Sequence, residues 1–181
     1  MKNAYMIGER TYLRPLEPSD AALMQPWVND PEVARNLSMF RPATLKDELQ
    51  FIERTAASTT DVALGIVLRD GDRLIGTAGL HQLDWKNRSA GFGIAIGVRE
   101  EWDKGHGTEV TRMIAKLAFE RMNLHRLWLL VYEFNVRGIR CYEHVGFQRD
   151  GLLRDYLWVD GRYWNALSMS LLSTEWNPEA R

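Results

Sequence analysis

The stretch Glu101-Trp102-Asp103-Lys104-Gly105-His106-Gly107-Thr108-Glu109 sits between two patterns of different period. Before it, Phe92 to Val98 is an apolar run that reads as a buried strand. After it, Thr108 to Met122 repeats its apolar residues at helical spacing. Two glycines one residue apart at a strand-to-helix turn let the backbone come close to a ligand, with several N–H groups pointing one way. The helix N-terminus behind them adds partial positive charge, so the turn suits a pyrophosphate. A dinucleotide fingerprint would need a third glycine where Val110 stands. A P-loop would need Lys and then Ser or Thr after the last glycine, where Thr108-Glu109 follow Gly107. Both are excluded. The plainer alternative is a tight turn that needs positive φ.

Working outward, Arg126 to Tyr132 is a further apolar strand candidate. It is followed by Asn135-Val136-Arg137-Gly138-Ile139-Arg140-Cys141-Tyr142-Glu143-His144-Val145-Gly146-Phe147. Towards the N-terminus, Val62–Arg69, Leu74–Leu83 and Ala90–Val98 read as strands parted by Asp70-Gly71-Asp72 and Trp85-Lys86-Asn87-Arg88, hence an antiparallel meander. Thr11 to Leu16 reads as a first strand. Ser19 is expected to cap a helix through about Val28, with Asp20 in its first turn. Thr44 and Asp47 form a capping-box-like start to a helix ending near Ala57, with Leu45, Leu49 and Ile52 on one side. Gln148–Val159 and Tyr163–Leu171 flank Asp160-Gly161-Arg162 as a closing hairpin. The predicted order is β-α-α-β-β-β-α-β-α-β-β, a mixed α/β domain with one sheet.

Composition limits the function classes. The chain has 181 residues, a size that suits one domain over residues 1–181. A net charge of −1 gives no general attraction to nucleic acid, so no nucleic-acid partner is expected. One cysteine, Cys141, excludes an intramolecular disulfide and suits a reducing compartment. Met1 to Arg14 lacks the apolar core of a signal peptide and no run approaches a membrane span, so a cytoplasmic location away from membranes is expected. Four scattered histidines show no zinc-site spacing, and no metal is expected.

Taken together, the cradle with Gly105 and Gly107 and the later Asn135, Tyr142, Gly146 and Phe147 resemble the GCN5-related N-acetyltransferases (GNAT), in the RimJ/RimL-like branch. The leading Arg or Gln of the first motif is replaced by Trp102, a change this branch commonly shows. The likeness continues at Trp27-Val28-Asn29-Asp30-Pro31-Glu32-Val33 and at the hairpin around Gly161, and so spans nearly the whole chain. It implies one mixed, mostly antiparallel sheet flanked by helices and splayed at a coenzyme A site, with acetyl-CoA as co-substrate and no metal. Homodimers are compatible with it.

The resemblance assigns roles residue by residue. Trp102, Asp103, Lys104, Gly105, His106, Gly107 and Thr108 would hold the pyrophosphate. Ile96, Gly97 and Val98 would run along the pantetheine arm, to which Asn135 could donate; a turn-forming asparagine is the alternative. Arg137 and Arg140 could meet the 3′-phosphate or be solvated helix charges, and Lys104 shares that ambiguity. Tyr142 is the general-acid candidate, because a phenol near pKa ~10 stays protonated at neutral pH and can donate to a thiolate; ordinary helix packing is the alternative. Cys141 reads as a small buried filler. On the strand before the cradle, Ala90-Gly91-Phe92-Gly93 has Gly91 where the branch commonly has an acidic residue. His81 and Asp84 are the substitutes for a base, with a structural histidine as the other reading. Trp27, Phe40 and Tyr156, with Trp158 and Tyr163, are candidate acceptor walls or core. A site without a strong base favours an amine that is easily deprotonated. At pH 7 an ε-amine loses its proton at roughly 4.6 kcal/mol and an α-amine at about 1.4 kcal/mol. The expected function is therefore transfer of an acetyl group to a primary amine, with a peptide or protein N-terminus ahead of a polyamine, antibiotic or other small amine. A quiet coenzyme A-binding module is the alternative of another class.

Overall fold

The computed structural model describes residues 1–37 and 39–178. Two short strands, β1 (Met6–Ile7) and β2 (Thr11–Pro15), open the chain. A 3-10 turn over Pro18–Asp20 leads into α1 (Ala21–Asn29). Ser19 lies inside that turn, so the expected cap moves to Glu17, whose N–H donates to Asp20 Oδ2 at 2.8 Å. Asp20 is buried and held by the Arg14 guanidinium at 2.7 and 2.8 Å. A buried carboxylate needs such a partner, and this one ties the helix start to β2.

A one-turn helix, α2 (Pro31–Ala34), follows with Asp30 as N-cap and proline at its first position. Helix α3 (Leu45–Ala57) starts at the expected capping box. Asp47 Oδ2 accepts the Thr44 N–H at 2.7 Å, and Thr44 Oγ1 accepts the Asp47 N–H at 3.2 Å. Strands β3 (Val62–Leu68), β4 (Leu74–Asp84) and β5 (Ser89–Ile96) form the expected meander. Helix α4 (His106–Lys116) begins two residues before Thr108 and ends in a single π-turn, Leu117–Arg121. Then come β6 (Arg126–Tyr132), α5 (Val136–Val145), β7 (Gln148–Val159) and β8 (Arg162–Leu172). The last hairpin turns through Asp160 and Gly161, both at positive φ, the geometry that matches strand twist in a tight hairpin.

All eight strands lie in one sheet, ordered β1-β2-β3-β4-β5-β6-β8-β7. Period-2 alternation divides its faces. Ile66 packs in the larger core with α4 and α5, whereas its neighbour Val67 joins Tyr12, Met24 and Ile52 under α1 and α3. On β6, Leu127, Leu129 and Val131 enter the larger core, which leaves Trp128, Leu130 and Tyr132 for the opposite face.

One joint in the sheet is incomplete. Strands β5 and β6 run parallel but pair only from Ser89↔Arg126 to Gly91↔Trp128. Beyond that point β5 stays bonded to β4 as far as Ile96, and β6 to β8 as far as Tyr132. The two strands therefore diverge, and the opening lies between Phe92–Ile96 and Leu129–Tyr132.

Candidate active site

The cradle grows directly from the end of β5. The Gly97 and Val98 N–H groups both donate to the Ile75 carbonyl, at 2.9 and 3.2 Å, which turns the chain out of the sheet. The Trp102 indole N–H donates back to the Ile96 carbonyl at 2.8 Å. Asp103 and Gly105 then adopt left-handed φ of 58° and 80°, and Gly105 is the N-cap of α4. Glycine is needed there for its φ, and a Cβ would also lie 2.8 Å from Arg10 Nη2. At Gly107 a Cβ would make ordinary contact with Cys141 Sγ at 3.5 Å, so this glycine keeps open space rather than relieving a clash.

A cavity of about 500 Å3 lies against this turn. Of the cradle residues, Trp102, Asp103, Gly105, His106, Gly107 and Thr108 line it, as do Ile96, Asn135, Arg137, Arg140 and Tyr142. Lys104 does not. Its ammonium donates to Glu101 Oε2 at 3.1 Å, and the same buried carboxylate meets Arg73 and, at 3.2 Å, His106 Nε2. The Lys104 hydrogen bond, acting against burial, holds the Glu101 carboxyl below its usual range. Gly97 and Val98 are also absent from the lining. The flat face of Gly97 carries the Trp27 ring, and a Cβ there would fall 2.4 Å from Trp27 Cδ2.

Asn135 is the N-cap of α5, accepting the Gly138 N–H at 2.9 Å through Oδ1. Its Nδ2 is left as the donor available to a ligand. Arg137 stacks over the Trp102 ring at 3.7 Å and faces Asp103 at 3.9 Å, forming one wall of the mouth. Cys141 is half-buried behind the cradle, accepts from Thr108 Oγ1 at 3.6 Å, and has its thiol pKa raised by burial. Tyr142 packs edge-on to Phe92, and burial pushes its phenol above the ordinary value.

A second cavity of about 750 Å3 opens on the other side of the splay, and Asn36, Leu37, Ile94, Ala95, Asn135 and Tyr142 line both. Tyr142 thus stands where the two spaces meet. His81 lines the second cavity from β4. It pairs with Gly91 across the strands, and its ring occupies the room that glycine leaves, since a Cβ at Gly91 would lie 2.1 Å from His81 Cε1. Trp128 meets the ring edge-on at 5.3 Å. Burial lowers the imidazole pKa, opposed by the charge of Asp61.

The other expected walls and the alternative base are dispersed. Tyr156 lines the second cavity. Trp27 does not, because it packs into the smaller core under α1. Phe40 is 92% exposed and lines neither cavity. Trp158 and Tyr163 meet edge-on, with ring centroids 4.8 Å apart, near the tip of the last hairpin. Asp84 is used in the β4–β5 turn, accepting from Asn87 at 2.8 and 2.7 Å. Sequence reasoning missed Phe51, Arg54, Asp61, Trp128 and Tyr132 in the second cavity. The alternation along β6 carried a signal for Trp128 and Tyr132. Among the described residues there is no cluster suited to a metal, and no helix is long and apolar enough to cross a membrane.

A family model described as an acetyltransferase (GNAT) domain matches residues 10–148. The uncharacterized N-acetyltransferase p20 of Bacillus licheniformis is 31% identical over 171 residues, 93% of this chain and 96% of its own. Spermidine N(1)-acetyltransferase of Vibrio cholerae is 30% identical over 111 residues, 61% of this chain and 64% of its own. A crystal structure of V. cholerae spermidine N-acetyltransferase with CoA and spermine superposes with a TM-score of 0.85. It covers 92% of this chain and 97% of that one at 22% identity, a likeness of fold.

Proposed function

The chain belongs to the GNAT family and is an N-acetyltransferase, and from that premise we propose that it moves acetyl from acetyl-CoA to an α-amine, such as a peptide N-terminus, within one domain spanning residues 1–181. A RimJ/RimL-like placement is part of this reading. The observation that carries it is the meeting of two cavities at Tyr142, the second having Asp61 as its only carboxylate among the described lining residues and a cation, Arg54, in the same lining. A polyamine brings several positive charges and calls for several acids, which this lining does not supply. The spermidine acetyltransferase activity for which the V. cholerae relative is named favours spermidine as the second reading.

Acetyl-CoA supplies the activated acetyl group. In our reading the N–H groups at the start of α4 hold the pyrophosphate, helped by Arg137, Arg140 and Thr108. Asn135 Nδ2 donates to the arm that enters the splay. The amine nitrogen bonds to the acetyl carbon as the carbon–sulfur bond breaks. One proton leaves the nitrogen for His81, and one passes from the Tyr142 hydroxyl to the departing sulfur, after which solvent restores both groups. A lowered pKa keeps His81 neutral and ready at pH 7, while the raised pKa of Tyr142 keeps its proton in place until a thiolate forms nearby. A thiolate desolvated in the same slot also gains basicity, which offsets the stronger hold of the phenol. Because His81 is a weak base, the ~3 kcal/mol advantage of an α-amine over an ε-amine persists.

The test is thiol release from acetyl-CoA with matched amines. Faster turnover of an N-terminal peptide than of a lysine side chain or spermidine at pH 7 supports the reading. Preference for spermidine overturns it in favour of the polyamine.

A further inference from the structure

The structure assigns Asp61 a part in the reaction: it fixes the His81 ring over Gly91 and supplies the negative charge that the ring needs once it holds the acceptor's proton. This inference rests on His81 being the base.

The geometry begins with a defect in the sheet. Strand β4 loses register with β5 between His81 and Asp84, and Gln82 takes a left-handed φ of 51°. A non-glycine residue in that region persists only when its surroundings hold it. Here the turn before β3 does so from both sides. The Gln82 N–H donates to Asp61 Oδ1 at 3.2 Å, and the Leu83 N–H donates to the Thr60 carbonyl at 2.9 Å. Asp61 is itself anchored, since its Oδ2 accepts from Ser58 Oγ at 2.8 Å and Thr60 Oγ1 at 3.3 Å. The carboxylate thus grips the peptide that follows His81, while Gly91 and Trp128 bound the ring.

The electrostatics agree with that placement. The Ser58 hydroxyl, outweighing burial, lowers the Asp61 pKa, with His81 contributing, so the group is ionised through the working range. Asp61 in turn favours the imidazolium that burial disfavours. The other ionisable groups on this cavity are Arg54 from α3, Tyr132 from β6, Tyr142 from α5 and Tyr156 from β7. None of these is an acid that carries charge at neutral pH. Asp61 is therefore the group among the described lining residues that can stabilise a protonated His81. It acts through His81 and is a positioning residue.

The experiment reads His81 directly, without substrate, by following the histidine ring resonances of the protein across pH, with H81Q to assign the signal. D61N keeps an oxygen that can accept the Gln82 N–H but removes the charge. We expect the His81 midpoint to fall by roughly half a unit to one unit, the effect of losing one nearby opposite charge. The acid limb of kcat/KM for an α-amine should fall by the same amount. D61E, which keeps the charge, should hold the midpoint near that of the parent protein and keeps the test open if D61N fails to fold. A His81 midpoint unmoved in D61N, or displaced equally in D61E, overturns the role of Asp61 and leaves the base assignment standing. A midpoint that moves while the kinetic limb stays in place removes His81 as base, and the role of Asp61 falls with it.

Discussion

The two sides of Tyr142 are built differently. The coenzyme side is drawn mostly from one short stretch, a turn and the first residues of α4 between Trp102 and Thr108 without Lys104, with α5 closing the wall. The acceptor side is brought together from α3, β3, β4, β5, β6 and β7, elements distant in sequence. A phosphate asks for aligned N–H groups and a helix end, which one short segment provides. An amine and its substituents ask for shape and charge, which many short contributions must supply. The first surface tolerates little change at its glycines. The second can be altered position by position without touching the first.

This contrast is open to direct attack. The largest effect is expected at the shared residue. Tyr142→Phe should leave acetyl-CoA affinity nearly intact and lower kcat by ~10²–10⁴-fold, the usual cost of losing a general acid. Turnover within a factor of about two of the parent would make Tyr142 a packing residue. Next, Gly107→Val should weaken acetyl-CoA binding by ~30- to 10³-fold, as if one or two charge-assisted hydrogen bonds were lost, with the fold retained by circular dichroism. Calorimetry that finds unchanged affinity would move the phosphate elsewhere and erase the distinction between the two sides.

On the acceptor side, a matched α-amine should exceed an ε-amine by up to ~10²-fold in kcat/KM at pH 7, following the difference in deprotonation cost. Equal rates would sink the preference. The smallest effect concerns stability. Burial lowers the folded-state pKa of His81, so between that value and the unfolded pKa of ~6.5 the unfolded chain binds more protons. Stability is therefore present above that window and declines as pH falls through it. The decline should stay below ~1 kcal/mol for a partly buried ring screened by solvent. Urea midpoints at two pH values, compared with those of H81Q, isolate the contribution. A decline of the same size in H81Q assigns it to other groups.

The same contrast explains what could be read from the chain alone. The meander, β6, α5 and the last hairpin follow from period and turn chemistry, and the cradle is a single segment whose glycines announce themselves. β1 and α2 are too short for any period to show, though Asp30-Pro31 is a legible helix start. Gly97 shows the limit of reading a glycine by its place in a motif. It was expected to run along the coenzyme, yet the space it leaves is filled from the other side by Trp27. Trp27 was in turn expected on an acceptor wall. His81 marks the converse case: Gly91 reads as a missing acid, but the vacancy is taken by a side chain ten residues away in sequence and adjacent only through the β4–β5 register. Asp61 gave no sequence signal, because its meaning comes from a bulge in a neighbouring strand.

The short joint between β5 and β6 has a mechanical consequence. The sheet is effectively two plates, β1 to β5 and β6 with β8 and β7, hinged along the few rungs between Ser89 and Gly91. Past the hinge each plate presents an inner edge whose amides and carbonyls have no strand opposite, the kind of edge that elsewhere invites another chain. A linear ligand with amides of its own, laid into that gap, would act as a splint. Hydrogen exchange should then slow on loading at inner-edge amides of Phe92–Ile96 that face the gap, while amides on β7, far from the hinge, keep their rates.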